Sequence, residues 1–170
     1  PVCQKTLKCR VLGGIGRALG VEGLEEVREP KHVRMDYKVG ANPKGIAAAD
    51  LDGDARIDLA TANTSSSVSV LRNQGGGRFD GDPPSIGVPE QAVALVPLDV
   101  DGDSDPDLAV AGGQDCIWIL HNDGKGNFAL SGTLHAGQVP TDVAAGDLDG
   151  IGCMDLVSAN KIGDATLSVF

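Results

Sequence analysis

The sequence predicts an all-β fold made of β-propeller blades. About three four-stranded units are legible, the last truncated, giving a partial or open propeller. Three observations lead there. A nine-residue acidic pattern occurs three times, as Asp50-Leu-Asp52-Gly-Asp54-Ala-Arg56-Ile-Asp58, Asp99-Val-Asp101-Gly-Asp103-Ser-Asp105-Pro-Asp107 and Asp147-Leu-Asp149-Gly-Ile-Gly-Cys153-Met-Asp155. Its first aspartates lie 49 and then 48 residues apart, a period that marks a repeat array. Each copy is also flanked by short β-branched runs bounded by Gly, Asn and Ser, which read as strands rather than helices.

Residues 1–32 do not fit the repeat and read as a lead-in, whereas 33–170 divide into units near 33–81, 82–130 and 131–170. Within the lead-in, Leu12-Gly-Gly-Ile-Gly-Arg-Ala-Leu-Gly20 is superficially like a dinucleotide-binding glycine loop. It fails that spacing, because Leu19 stands where the third glycine belongs and no βαβ pattern follows. Gly23-Leu-Glu-Glu-Val-Arg28 is suited to a helical turn or two. The chain begins with Pro1 and shows no signal peptide, so it reads as a processed or excised piece.

The repeat elements follow in order. Before each loop lies a strand of small residues: Gly45–Asp50, Leu95–Asp99 and Val143–Asp147. Small side chains suit the inner strand of a blade, packed closely against its neighbours. Pro97 lacks a donor for a ladder, so a local irregularity is expected there. After each loop come two further strands: Leu59–Asn63 and Ser67–Leu71, Leu108–Gly112 and Cys116–Leu120, Leu156–Asn160 and Thr166–Phe170. Two units continue into a Gly-rich turn ending in Phe, Asn73–Phe79 and Asn122–Phe128, again 49 residues apart. One unit therefore runs strand, acidic loop, strand, turn, strand, Gly turn, strand. Three units are too few to close a ring that usually has four to eight blades. Further blades or another chain would be needed to complete it, and exposed strand edges favour association.

Composition narrows the function. Aromatics are only 3 % of the 170 residues, so the core must be built from Val, Leu, Ile and Ala. The three loops carry half of the 24 acidic residues against one base, Arg56, and account for the whole formal charge of −10. Acidity this local points to cations rather than to a generally acidic surface. No basic face suggests nucleic acid, and no apolar run reaches the length of a membrane span. Cys3 and Cys9 could pair across a short loop. Cys116 and Cys153 fall in different repeats, and four unpaired thiols remain an open alternative.

The loop chemistry suits Ca²⁺, which takes six to eight oxygen ligands. Positions 1, 3, 5 and 9 supply carboxylates and position 7 a main-chain carbonyl. In the first loop these are Asp50, Asp52, Asp54 and Asp58 with the carbonyl of Arg56. In the second they are Asp99, Asp101, Asp103 and Asp107 with the carbonyl of Asp105. Even positions point away, so Leu51 and Val100 can be apolar. The third loop keeps Asp147, Asp149 and Asp155 and the carbonyl of Cys153, but Ile151 has replaced a donor, so weak binding or none is expected. Without metal the carboxylates repel; a pair about 4 Å apart costs about 4 kcal/mol at an effective dielectric of about 20. An EF-hand is excluded, because Thr61, Val110 and Ser158 stand where its Glu would be and strands replace its flanking helices.

The acidic loop, the Asn-x-Gly-x-Gly-x-Phe turn and the lead-in Pro43-Lys-Gly-Ile-Ala-Ala-Ala-Asp50 together resemble FG-GAP/VCBS repeats, the blades of integrin-alpha-like propellers. The resemblance implies a β-propeller with Ca²⁺ between the first two strands of a blade. It also implies a secreted or cell-surface setting, often in adhesion, carbohydrate binding or as an accessory domain. Ala55 and Ser104 depart from it where the family often has a second glycine.

Catalytic candidates are few. His32, His121 and His135 are scattered, and no nucleophile–base order or H-x-x-x-H pair accompanies them. Ser65–Ser67 read as turn residues. Trp118 alternates with Ile117 and Ile119 and reads as core, with stacking on a sugar as the alternative role. The expectation is a non-enzymatic, calcium-stabilised scaffold for a protein or glycan ligand. The alternative is an accessory propeller of a secreted carbohydrate-active enzyme.

Overall fold

The computed structural model describes residues 34–161 and 166–170. The chain divides into two compact units, Pro1–Asp36 and Tyr37–Phe170. Of the first, only residues 34–36 are described, where Arg34 pairs with Asp36 at 2.9 Å. The lead-in glycine loop, the 23–28 segment, His32 and the cysteines at 3 and 9 lie outside the described residues.

The second unit is all-β among its described residues, and its strands form an open series of blades. The first blade orders β1 (Pro43–Ala49), β2 (Asp58–Asn63), β3 (Ser67–Leu71) and β6 (Ser85–Gly87), with β4 (Asn73–Gly75) and β5 (Arg78–Phe79) as a separate hairpin. The second blade orders β7 (Ala92–Leu98), β8 (Asp107–Gly112), β9 (Cys116–Asn122) and β10 (Phe128–His135). The third has β11 (Pro140–Gly146), β12 (Asp155–Asn160) and β13 (Leu167–Val169). All pairings are antiparallel. The fourth strand differs between blades. Residues Phe128–His135 continue directly from the Gly turn, whereas Asp80-Gly-Asp-Pro-Pro84 interrupts the first blade and leaves three residues to pair. Neighbouring prolines cannot donate to a ladder.

The irregularity expected at Pro97 is absent, since Pro97 pairs in register with Leu108. β7 has a neighbour on one side only, and an edge strand accepts a proline whose nitrogen faces outward. The shift falls instead between Ala92 and Ala94, and it recurs between Pro43 and Gly45 and between Pro140 and Asp142. A bulge at the start of each inner strand is thus a property of the repeat.

Alternation along each strand gives a blade two faces. Ala60, Ala62, Val68 and Val70 of the first blade pack against Leu95, Leu108, Val110, Trp118 and Leu120 of the second. The opposite face of the second blade, Ala109, Ala111, Ile117 and Ile119, packs against Val143 and Leu156 of the third. Small inner-strand residues allow this approach. A Cβ on Gly45 would lie 2.8 Å from the Ala94 Cα. Among the described residues, nothing covers the corresponding outward face of the third blade, where Leu167 is 70 % and Val169 62 % exposed.

The first and third blades share a buried polar cluster. Asn63 Nδ2 donates to Ser69 Oγ at 3.1 Å, and the Gly40 N–H donates to the same oxygen. Asn160, Ser168 and Gly137 repeat this arrangement. In the second blade the three positions hold Gly112, Trp118 and Pro89. Pro89 has no N–H to offer, and the indole occupies the space beside Gly112, whose added Cβ would meet it at 2.8 Å. The change from hydroxyl to indole is therefore matched on both neighbouring segments.

Candidate functional site

Each acidic loop joins the first two strands of its blade, and the same two backbone kinks shape all three. Position 4 is left-handed at Gly53, Gly102 and Gly150, with φ of 75°, 84° and 75°. Position 6 is also left-handed, at Ala55, Ser104 and Gly152, with φ of 65°, 75° and 92°. The family's second glycine thus answers a real conformational need, which Ala55 and Ser104 meet at a cost of about 1–2 kcal/mol each.

The first aspartate closes the loop by accepting its amides. Asp50 Oδ1 accepts from the Gly53 N–H at 2.9 Å and Oδ2 from the Ala55 N–H at 2.8 Å. Asp99 and Asp147 do the same for Gly102 and Ser104, and for Gly150 and Gly152. The last aspartate ties the loop back to the sheet. Asp58 Oδ2 accepts from Leu51 N–H at 3.0 Å and Oδ1 from Asn73 N–H at 2.7 Å. Asp107 repeats both contacts, with Val100 and Asn122, and Asp155 accepts from Leu148.

The loops then diverge. In the first, Asp50, Asp52 and Asp58 bring carboxylate oxygens within 4.8 Å of one another. Asp54 turns instead to the Arg56 guanidinium, and Arg56 Nε donates to the Asn73 carbonyl. In the second, Asp99, Asp101 and Asp103 converge, while Asp107 and Asp101 form a second group with His121. Asp105 points towards Gly124 of the Gly turn. In the third, Asp147, Asp149 and Asp155 converge. There Ile151 is 75 % exposed and Cys153 is an exposed free thiol. Arg56, Asp105 and Cys153 occupy position 7, and the side chains of the first two are turned to these other contacts.

Residues outside the loops complete the sites. Arg72 and His121 stand 49 residues apart, Arg72 just after β3 and His121 in the last two residues of β9, each at the strand end that faces its own loop. His121 Nδ1 lies 3.1 Å from Asp107 Oδ1 and 3.4 Å from Asp101 Oδ2. Arg72 reaches across the blade boundary, donating from Nη2 to the Gly126 carbonyl and Asn127 Oδ1. Asn122 Nδ2 donates to Leu51 O and Pro106 O, linking two loops of different blades. The register of the repeat was the only sequence signal for the Arg72/His121 pair.

The first loop holds an electrostatic tension. Asp52 Oδ1 and Arg72 Nε are both buried and without a hydrogen-bond partner. Burial, followed by the charges of Asp58 and Asp54, pushes the Asp52 carboxyl above its ordinary value, while the Asp54 main-chain N–H and then Arg72 act the other way. A buried unpartnered carboxylate oxygen is costly. An all-oxygen donor set with one oxygen left unsatisfied fits a hard cation.

With this geometry in place, the comparisons are specific. The FG-GAP-like repeat family matches residues 50–110 and 99–158. The chain belongs to that family. Both matched segments begin at the first aspartate of a loop and run into the second strand of the next blade. A search of curated proteins returned no match. Among solved structures, the chain is similar to the crystal structure of BBS1N in complex with ARL6DN, soaked with lead, at 12 % identity and a TM-score of 0.40. That alignment covers 79 % of this chain and 58 % of the other, so the chain spans just over half the length of that relative.

Proposed function

We propose that this FG-GAP-like repeat module is a calcium-binding scaffold of a secreted or cell-surface protein, in which the metal is structural and the blade surface recognises a protein or glycan. The observation that carries the reading is the Asp52 Oδ1, buried and unpartnered beside Asp50 and Asp58. When bound, calcium would supply the positive charge that relieves carboxylate repulsion and satisfies that oxygen. The protein's own residues prepare the place. Asp50 closes the loop on its amides, and Asp58 fixes the loop to the strand that follows. The uncovered face of the third blade favours further blades or another chain as a neighbour.

Chelator-treated full-length chain should bind calcium in a calorimetric titration, and its melting temperature should rise. At free calcium about one hundred times the dissociation constant, linkage gives about 2.7 kcal/mol per site. Asp50→Ala with Asp52→Ala should remove the strongest site. Unchanged heats, melting temperature and loop proteolysis on adding calcium would refute the proposal.

A further inference from the structure

The end of the second blade opposite its acidic loop carries another group of ligand atoms. Asp115 ends the turn between β8 and β9, Cys116 opens β9 and His135 closes β10. The register places Cys116 directly opposite His135. Cys116 Sγ lies 3.3 Å from Asp115 Oδ1, and His135 Nδ1 lies 3.8 Å from Asp115 Oδ2. One ligand atom from each falls within 4.8 Å of the others. The main chain is pinned here, with the Ala136 N–H donating to Asp115 O at 2.8 Å. The Glu90 carboxylate stands beside Gly113 of the same turn, with Oε2 2.7 Å from where a Cβ on Gly113 would stand.

The first blade repeats this backbone without the ligands. Val88 N–H donates to Ser66 O at 3.0 Å, the counterpart of the Ala136–Asp115 bond. Ser67 stands opposite Gly87 where Cys116 stands opposite His135, and Ala41 occupies the position of Glu90. The third blade has Thr166 and Gln138 in place of Cys116 and Glu90. The shared main-chain hydrogen bond does not account for the side chains, which appear together only in the second of the two blades.

We propose that Asp115, Cys116 and His135 form a three-residue site for zinc or a similar borderline divalent metal, with solvent in the fourth position. Thiolate and imidazole donors select such ions over calcium and magnesium. The observed separations approach the ligand–ligand edge of a tetrahedral zinc centre, roughly 3.3–3.7 Å for bonds of about 2.0–2.3 Å. On binding, the Cys116 thiol gives its proton to solvent and the His135 nitrogen binds as the neutral base. The six-residue strand β8 keeps this site about 20 Å from the acidic loop, so the two can be loaded independently.

Cobalt(II) is the probe, titrated into reduced full-length chain in the presence of excess calcium. One equivalent should give a thiolate-to-cobalt charge-transfer band that one equivalent of zinc removes. The band should disappear in Cys116→Ser, which restores the residue type of the first blade. It should persist when Cys3, Cys9 and Cys153 are all replaced by Ser. His135→Ala changes an exposed side chain and should weaken zinc binding more than about a hundredfold, beyond the loss from removing a residue that only supports a ligand. A wild type without the band, a band that survives Cys116→Ser, or zinc binding abolished by calcium would each overturn the proposal.

Discussion

Asn122 should be a principal fastener between the first two blades. It is fully buried, its Nδ2 donating to Leu51 O at 2.9 Å and Pro106 O at 3.0 Å, and its Oδ1 accepting from the Gly126 N–H at 3.1 Å. The three contacts join the acidic loop of one blade to the loop and Gly turn of the next. Replacing Asn122 by Ala leaves three main-chain groups without their partner, the Leu51 carbonyl and Gly126 N–H buried and the Pro106 carbonyl partly so. At about 1 kcal/mol each, the loss is about 3 kcal/mol. Asn73 is the same residue one repeat earlier, with Nδ2 donating to Ile57 O and Oδ1 accepting from Gly75 N–H, but these contacts are near solvent and stay within one blade. Asn73→Ala should therefore cost about 1 kcal/mol. Urea unfolding followed by the emission of Trp118, the single tryptophan and buried at this blade interface, measures both. At about 2–4 °C per kcal/mol, the Asn122 variant should melt about 6–12 °C lower. Equal effects of the two substitutions, or a loss under about 1 kcal/mol for Asn122→Ala, would refute this account of the blade junction.

Other consequences can be checked with the same assay. Ala55→Gly and Ser104→Gly relieve left-handed strain at φ of 65° and 75°, and each should stabilise by up to about 1 kcal/mol after the added freedom of the unfolded chain is subtracted; a loss of stability would contradict it. Gly112→Ala should destabilise by roughly 1–3 kcal/mol and shift Trp118 emission, since its Cβ would lie 2.0 Å from the Gln91 carbonyl oxygen. For Asp52, the folded carboxyl titrates above the ordinary value of 3.8 because burial and neighbouring carboxylates disfavour its charge. The native state then binds the proton more tightly than the unfolded state, so metal-free stability should fall as pH rises from about 3.8 through the folded value. Asp52→Asn should flatten that part of the pH profile in chelator-treated protein; an unchanged profile would exclude the mechanism.

What could be read from the sequence was whatever one repeat determines by itself. Ser67–Leu71 occurs as anticipated, because alternation and flanking turn residues define it locally. The nine-residue loops, their glycine at position 4 and the Gly turns are legible for the same reason. Relations between repeats were less accessible. Leu51 and Val100 occupy the same even position and looked equivalent. Leu51 is 1 % exposed because it enters the core shared with the second blade, whereas Val100 is 49 % exposed. Arg72 and His121 reach their loops from 14 or more residues away, and a reading that follows consecutive residues does not bring them together. The exchange of Asn63, Ser69 and Gly40 for Gly112, Trp118 and Pro89 becomes intelligible only when the blades are superimposed by register.

These differences bear on why three similar loops should not bind alike. A loop's carboxylates are supplied from within, but their solvation depends on the neighbouring blade. The Gly turn of the second blade lies over Asp52: a Cβ on Gly126 would sit 3.3 Å from the Asp52 Cβ and 3.1 Å from Arg72 Nε. That cover removes water from Asp52 Oδ1 and leaves it unpartnered. In the second loop the Asp101 Oδ2 faces His121 at 3.4 Å from Nδ1. Asp149 is exposed and its loop presents Ile151 to solvent. A cation arriving at the first loop would therefore replace a missing interaction. Affinity should be lowest at the third loop, where Ile151 stands in place of a carboxylate. Substituting Gly126 by a bulkier residue, which displaces the cover without touching an acidic side chain, should lower calcium affinity at the first loop alone. If Gly126→Val left that affinity unchanged while Asp50→Ala abolished it, the neighbouring blade would have no part in the site.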